Sequence, residues 1–271
     1  MTPSAHDAPA ALAHRGFSRE GAENTVEAFR AARDLGYHWI ETDVNTTRDG
    51  VVLSFHDETL DRVTDGTGQV SALTWEQVRA ARVAGAAAIP RLGDLLTGLP
   101  ELRFNIDVKD EASVTALPRL LHELGAEDRV RVTSFSESRR RRTVRALRAL
   151  TGRSVPTSSG EGGVRLLLGC AMVGGPSWPA ARRAAAPWIE PFDTVQVPRR
   201  YRGRGGAEVE LVTPRFLDFA HRHGIAVHVW TVDEPAEMAE LLDLGVDGLI
   251  TDRADLLAEL LTQRGQWPPR P

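Results

Sequence analysis

Short apolar runs alternate along this chain with longer stretches whose apolar positions recur every three or four residues. These are the spacings of buried strands and of one-sided helices. The short runs predict strands over 11–16, 39–44, 103–109, 129–135, 154–158, 193–197, 226–232 and 248–251. Each leads into a helical pattern. The first starts at Asn24 and Glu27 like a capping box, carries Val26, Phe29 and Ala32 on one face, and stops at Gly36. Later helices are expected over 91–97, 112–124, 138–150, 162–168, 214–223, 235–244 and 254–264. Eight strands, each with a helix after it, are the pattern of an α/β TIM (β/α)8 barrel, although a doubly wound open sheet shares the alternation. Residues 57 to about 93 break the rhythm and read as a small insertion within a single domain spanning 1–271.

The insertion follows the stretch from Ile40 to Asp57, which reads as a β-hairpin turning at Arg48-Asp49-Gly50. Pairing Thr46 with Val51 sets His56 opposite Glu41, and strand alternation puts Glu41 and Asp43 on one face. Two carboxylates and an imidazole then share a small volume, where a divalent cation relieves the like-charge repulsion. The hairpin alone also fits an ordinary strand pair with its polar residues facing water.

Composition narrows the classes. With 271 residues, 42% of them hydrophobic, the chain can bury one large core. A net charge of -4 argues against a nucleic-acid partner. The single cysteine, Cys170, excludes an internal disulfide and a cysteine-rich zinc site. No apolar run approaches the ~18 residues of a membrane span, and residues 1–13 lack the pattern of a signal peptide, so a cytoplasmic location is the default. Of the 33 basic residues only Lys109 is a lysine, which asks what a compact ammonium does there that a planar guanidinium cannot.

In a TIM barrel the active site lies at the C-terminal strand ends. Here those ends carry His14-Arg15, Glu41 and Asp43, Asp107 and Lys109, Ser134, Gln196, Trp230 and Asp252. Glu41, Asp43 and Asp107 offer oxygen ligands only, which favours Mg²⁺ or Ca²⁺ over zinc. Lys109 shares a face with Asp107, and an ammonium beside a metal site implies a bound anion such as phosphate. His14 and His56 add two groups that titrate near neutrality, one to accept a proton and one to give it. Together these groups describe phosphodiester cleavage.

Several runs of residues carry a resemblance to a known family. They are Ala13-His14-Arg15-Gly16, Glu23-Asn24-Thr25, Glu41-Thr42-Asp43-Val44, Asp49-Gly50 leading to Phe55-His56-Asp57, and Asn105-Ile106-Asp107-Val108-Lys109. Ser134-Phe135, Trp230-Thr231-Val232 and Asp247-Gly248-Leu249-Ile250-Thr251-Asp252 complete the set. In this order, over 13–252, the chain resembles the glycerophosphodiester phosphodiesterases. The resemblance implies a TIM barrel with an insertion after the histidine–aspartate hairpin. It also implies metal-dependent hydrolysis of small glycerophosphodiesters to sn-glycerol 3-phosphate and an alcohol. It makes His14 and His56 the acid–base pair and gives the metal to Glu41, Asp43 and Asp107. Arg15 and Lys109 would contact phosphate, Trp230 would pack on the glycerol, and Glu23 would be a nearby rim carboxylate. One departure stands out: the family usually has glutamate where this chain has Asp107.

Two other readings share the barrel. One is a lysophospholipase D or sphingomyelinase D-like cleavage, whose sign would be an apolar mouth walled by the insertion. The other is a non-enzymatic sensor of phosphorylated ligands, which has no need of two proton-transfer histidines. Outside the rim set, His228 is expected to be a hydrogen-bonded core residue and Arg139–Arg142 a solvated face. Residues 199–206 are expected to form a rim loop, and the tail from Gln266 carries no signal.

Overall fold

The structure is a computed structural model that describes residues 8–18, 20–174, 177–202 and 208–268. The barrel strands of its main sheet run parallel and curl into a ring, with Val52–Ser54 added antiparallel to the second. Ala10–His14 lies between Trp39–Thr46 and Gly248–Thr251. Arg103–Val108 and Val130–Thr133 continue from one side, Ala226–Trp230 and Thr194–Pro198 from the other. The expected fifth strand shrinks to two bridging residues. Thr157 pairs with Val132 and Ser158 with Thr194, both parallel, and this closes the TIM barrel.

Helices pack around the ring because their apolar stripes match its outer face. Ser113–Leu124 shows the logic: Leu117 and Leu121, one turn apart, are fully buried, each burial contributing roughly 1.5–3 kcal/mol. Gly125, in the left-handed conformation at φ 59°, ends that helix and donates its N–H back to it. Phe29 and Phe104 meet edge to face at 5.9 Å between helix Val26–Asp34 and the third strand. Residues 57–91 fold over a second, smaller cluster of Leu53, Phe55, Leu60, Val70, Val78 and Ile89. Among the described residues no helix is long and apolar enough to cross a membrane.

Several expectations need correction. The hairpin register is Thr46 with Val52, not Val51, because Thr47 and Val51 close a three-residue loop around Gly50 at φ 86°. The first helix is capped by Thr25, whose hydroxyl accepts from the Ala28 N–H; Asn24 stands outside it in the left-handed region at φ 56°. A helix at Ser177–Ala185 was not expected from the sequence. Arg140 is not solvated but fully buried, on Glu137, Thr157 and the Glu190 carbonyl. His228 is buried as expected, yet its Nδ1 has no hydrogen-bond partner. The tail is not idle: Trp267 packs edge-on against Tyr37 at 4.9 Å. Of the expected rim loop, Arg200–Arg202 pairs with Glu208–Glu210 as a small hairpin, while residues 203–207 lie outside the described residues.

Candidate active site

The barrel register assembles the polar cluster directly. His14 is the cross-strand partner of Glu41, and Asp43 is that of Asp107. After His14 the chain turns sharply through Arg15, at φ 54°, and Gly16, at φ 89°. A Cβ on Gly16 would stand 2.8 Å from Ala28 and Phe29, so only glycine lets this turn pack on the first helix. The turn aims the Arg15 side chain back at the site. Its Nε lies 3.1 Å from Asp43 Oδ2, and its Nη1 donates to Glu23 at 2.8 Å.

His56 reaches the same cavity by a different route from the expected one. The return strand ends at Ser54, so His56 is not a ladder neighbour of Glu41. Instead the Asn45 amide donates to the carbonyls of Phe55, His56 and Asp57, each at 3.1 Å, and curls the chain inward. Each imidazole is backed by a carboxylate. His56 Nδ1 lies 2.5 Å from Asp57 and His14 Nδ1 lies 2.7 Å from Asp252, which leaves Nε2 of each ring as its second nitrogen. His14 Nε2 stands 3.7 Å from Glu41.

Lys109 answers the question its rarity raised. Its ammonium sits 2.9 Å from Asp43 and 2.6 Å from Asp107, a compact charge bridging two buried acids. Burial alone would raise Asp43, but Lys109 and then Arg15 hold it below its ordinary range. Asp107 is raised, by burial above all. Glu41 is pushed up to about 8 by burial and then by the charge of Asp43. Burial pulls His14 down, yet the bond to Asp252 and the charge of Glu41 leave it above its ordinary value.

Asn24 is a supporting residue that sequence reasoning took for a helix cap. It donates to Asp43 Oδ2 at 3.1 Å, while its carbonyl oxygen accepts from Thr42 and Ser54. Asp57 and Arg62 were also missed as supports. Their signal was the spacing of an acid and an arginine within a segment read only as an insertion. Arg62 donates to Asp57 and to Glu23.

All eight sequence-predicted site residues (His14, Arg15, Glu41, Asp43, His56, Asp107, Lys109 and Trp230) line one cavity of about 400 Å³ at the C-terminal strand ends. Trp230 closes its far side, its ring 5.5 Å from that of Phe135. No residue of 57–93 lines it, so the apolar mouth sought from the insertion is not found there. The far wall is nevertheless apolar, built from other parts of the chain.

A TIM barrel with cations, carboxylates and paired histidines at its catalytic rim defines a hydrolase of phosphoric diesters. Comparison with known proteins gives the family: the model of the glycerophosphoryl diester phosphodiesterase family matches residues 14–256, and the chain belongs to it. It is 42% identical over 263 residues to a Mycobacterium tuberculosis protein named probable glycerophosphodiester phosphodiesterase 2, covering 97% of this chain and 94% of that one. It is 28% identical to a glycerophosphodiester phosphodiesterase of Caldanaerobacter subterraneus subsp. tengcongensis, covering 94% and 98%. In fold it is similar to an Oleispira antarctica phosphodiesterase solved with the product sn-glycerol-3-phosphate, with TM-score 0.72, 17% identity and coverage of 94% and 97%.

Proposed function

We propose that this chain hydrolyses glycerophosphodiesters to sn-glycerol 3-phosphate and an alcohol, with His14 and His56 exchanging the protons and a divalent cation held by Glu41, Asp43 and Asp107. The observation that carries the reading is the pair of imidazoles, each tied through Nδ1 to a carboxylate, lining one cavity with Lys109 and Arg15. The product bound by the Oleispira protein of like fold agrees with it.

The donor set fits a hard cation. Glu41 Oε2 and Asp107 Oδ1 are buried without a hydrogen-bond partner, and all three acids present oxygen. Among the described residues no group of three or more His, Cys, Asp or Glu stands ready-spaced around a metal position, since Lys109 Nζ draws Asp43 and Asp107 onto itself. Loading therefore requires Lys109 to release at least one of them. With all three acids ionised around a bound divalent ion, their charges together with those of the ion, Arg15 and Lys109 sum to one positive, the complement of a phosphodiester anion. When bound, such an ion supplies charge neutralisation on the phosphoryl oxygens and lowers the pKa of a coordinated water.

The protein's own groups do the rest. Lys109, freed toward the cavity, and Arg15 orient the phosphate by charge-assisted hydrogen bonds. One of His14 and His56 accepts a proton at Nε2 from the entering oxygen and the other delivers one to the departing alkoxide. The test is release of glycerol 3-phosphate from glycerophosphocholine before and after EDTA, with Mg²⁺ and Ca²⁺ added back. Turnover lost to EDTA and restored by either ion is the expected result; undiminished turnover in EDTA removes the metal from the proposal, and no turnover in any condition removes the reaction.

A further inference from the structure

The carboxylates behind the two imidazoles are themselves held in different ways. Asp57 is bonded through its side chain by Arg62. Asp252 has no such grip: its side chain is 57% exposed, and among the described residues no arginine bonds it. A carboxylate this open to water has other rotamers to visit, and each of them lets go of His14 Nδ1. Whatever keeps Asp252 on His14 therefore has to act on its main chain.

Asp233 supplies that hold from the neighbouring strand end. Its Oδ1 accepts twice, from the Asp252 N–H at 2.8 Å and from the Thr251 hydroxyl at 3.0 Å. The same hydroxyl accepts from the Arg253 N–H at 2.8 Å, so residues 251–253 are all tied, directly or at one remove, to one oxygen. Thr251 is fully buried, and the Val232 N–H donates to the Ile250 carbonyl at 3.0 Å, which carries the strand pairing up to this turn. Asp233 is not the cap of the helix that follows it: Pro235–Leu244 starts at Glu234 with no side-chain cap bond. Nor does it line the cavity. Its bonds to residues 251 and 252 ask only for an acceptor in that place, not for a charge.

We propose that Asp233 is a positioning residue for His14: by fixing the turn at 251–253 it aims the Asp252 carboxylate, and through it the His14 ring. The proposal rests on the phosphodiesterase reading above, in which His14 transfers a proton, and adds a residue that never touches the substrate. The sequence gives little sign of it, because Asp233 and Asp252 lie nineteen positions apart on separate strand ends.

Kinetics of the full chain on glycerophosphocholine test it. Asp233→Ala should lower kcat about tenfold, part of what a positioned acid or base contributes, with KM little changed. Asp233→Asn, which keeps the acceptor and drops the charge, should restore most of that loss. Added to Asp252→Ala, the alanine at 233 should cost no more than about twofold further, because its only route to His14 is already cut. A loss from general weakening of the fold would instead multiply. An unchanged kcat in Asp233→Ala, a change confined to KM, an asparagine as damaging as the alanine, or losses that multiply each overturn the assignment. Should Asp233→Ala not fold, Asp233→Ser, whose hydroxyl ends one bond short, is read in its place. If the parent turns over no glycerophosphodiester, the phosphodiesterase reading fails and the proton NMR signal of the His14 Nδ1–H decides the positioning alone. Assigned by its loss in Asp252→Ala, that signal should shift or vanish in Asp233→Ala and persist in Asp233→Asn; an unmoved signal in Asp233→Ala overturns the proposal.

Discussion

Arg62 grips Asp57 at two points, Nε on one carboxylate oxygen at 2.5 Å and Nη2 on the other at 3.0 Å. Asp57 in turn meets His56 Nδ1, and Arg62 reaches on to Glu23, which accepts from Arg15. One arginine of the inserted segment thus steadies both the His56 imidazole and, through Glu23, the Arg15 guanidinium. Burial would raise Asp57, but its bonds to Arg62 and His56 bring it down to about 2, so it stays ionised and fixes the ring's tautomer.

Asp57→Asn is therefore expected to lower kcat about 10²-fold or more with little change in KM, as when the orienting acid of a histidine is lost. Arg62→Lys keeps the charge but not the two-point grip and should cost about tenfold in kcat. Steady-state kinetics on glycerophosphocholine decide this. A change in KM alone would mean that Arg62 acts on substrate and not through His56.

His14→Ala and His56→Ala should each lower kcat by at least ~10²-fold, the usual loss for a positioned acid or base. Circular dichroism of both variants should match the parent. Full activity in either would end the assignment of that histidine.

Lys109→Met removes the ammonium between Asp43 and Asp107, both buried. In EDTA the variant should lose about 3–5 kcal/mol of stability, the cost of breaking a buried pair from one side. Urea unfolding should show part of this recovered with Mg²⁺ or Ca²⁺. Lys109→Arg keeps the charge but should still impair turnover, because a planar fork does not fit where a point charge bridges two acids.

His228 sets a pH dependence of stability. Burial, and then the charge of Arg131, pushes it from 6.5 down to about 3. Below 6.5 the unfolded chain takes up a proton that the native state refuses. Its contribution is thus whole above 6.5 and is lost progressively as pH falls toward 3. The loss is at most about 1.4 kcal/mol per pH unit. Urea melts of the parent and His228→Asn across this range should differ by that slope, and parallel curves would contradict the burial of an uncharged ring.

Much of this was legible in the sequence because both strand alternation and rim chemistry are local patterns. Glu41, Asp43, Asp107 and Lys109 announce themselves by their two-residue spacing at strand ends. The hairpin was misread by one residue since Arg-Asp-Gly fits a loop of three or of four, and only hydrogen bonds distinguish them. Asn24 passed for a cap because asparagine is equally suited to helix starts and to the left-handed turn it adopts. Arg140 was hidden in a run of like charges, its partners Thr157 and Glu190 being distant in sequence. Val164 and Leu168 look like any apolar stripe; that they face a cavity and not a core depends on where helix Glu161–Val173 lies.

The ring is held unevenly. Between Trp39–Thr46 and Arg103–Val108 it is laddered along a full strand, whereas Thr157 and Ser158 supply only single stitches to either neighbour. Glu41, Asp43 and Asp107 stand on the firmly laced arc, and helix Glu161–Val173, with Val164 and Leu168 at the cavity, follows the loosely stitched one. Under the proposed function, substitutions in that second arc would reshape the cavity wall while the polar cluster stays in place, so the two would be free to evolve separately.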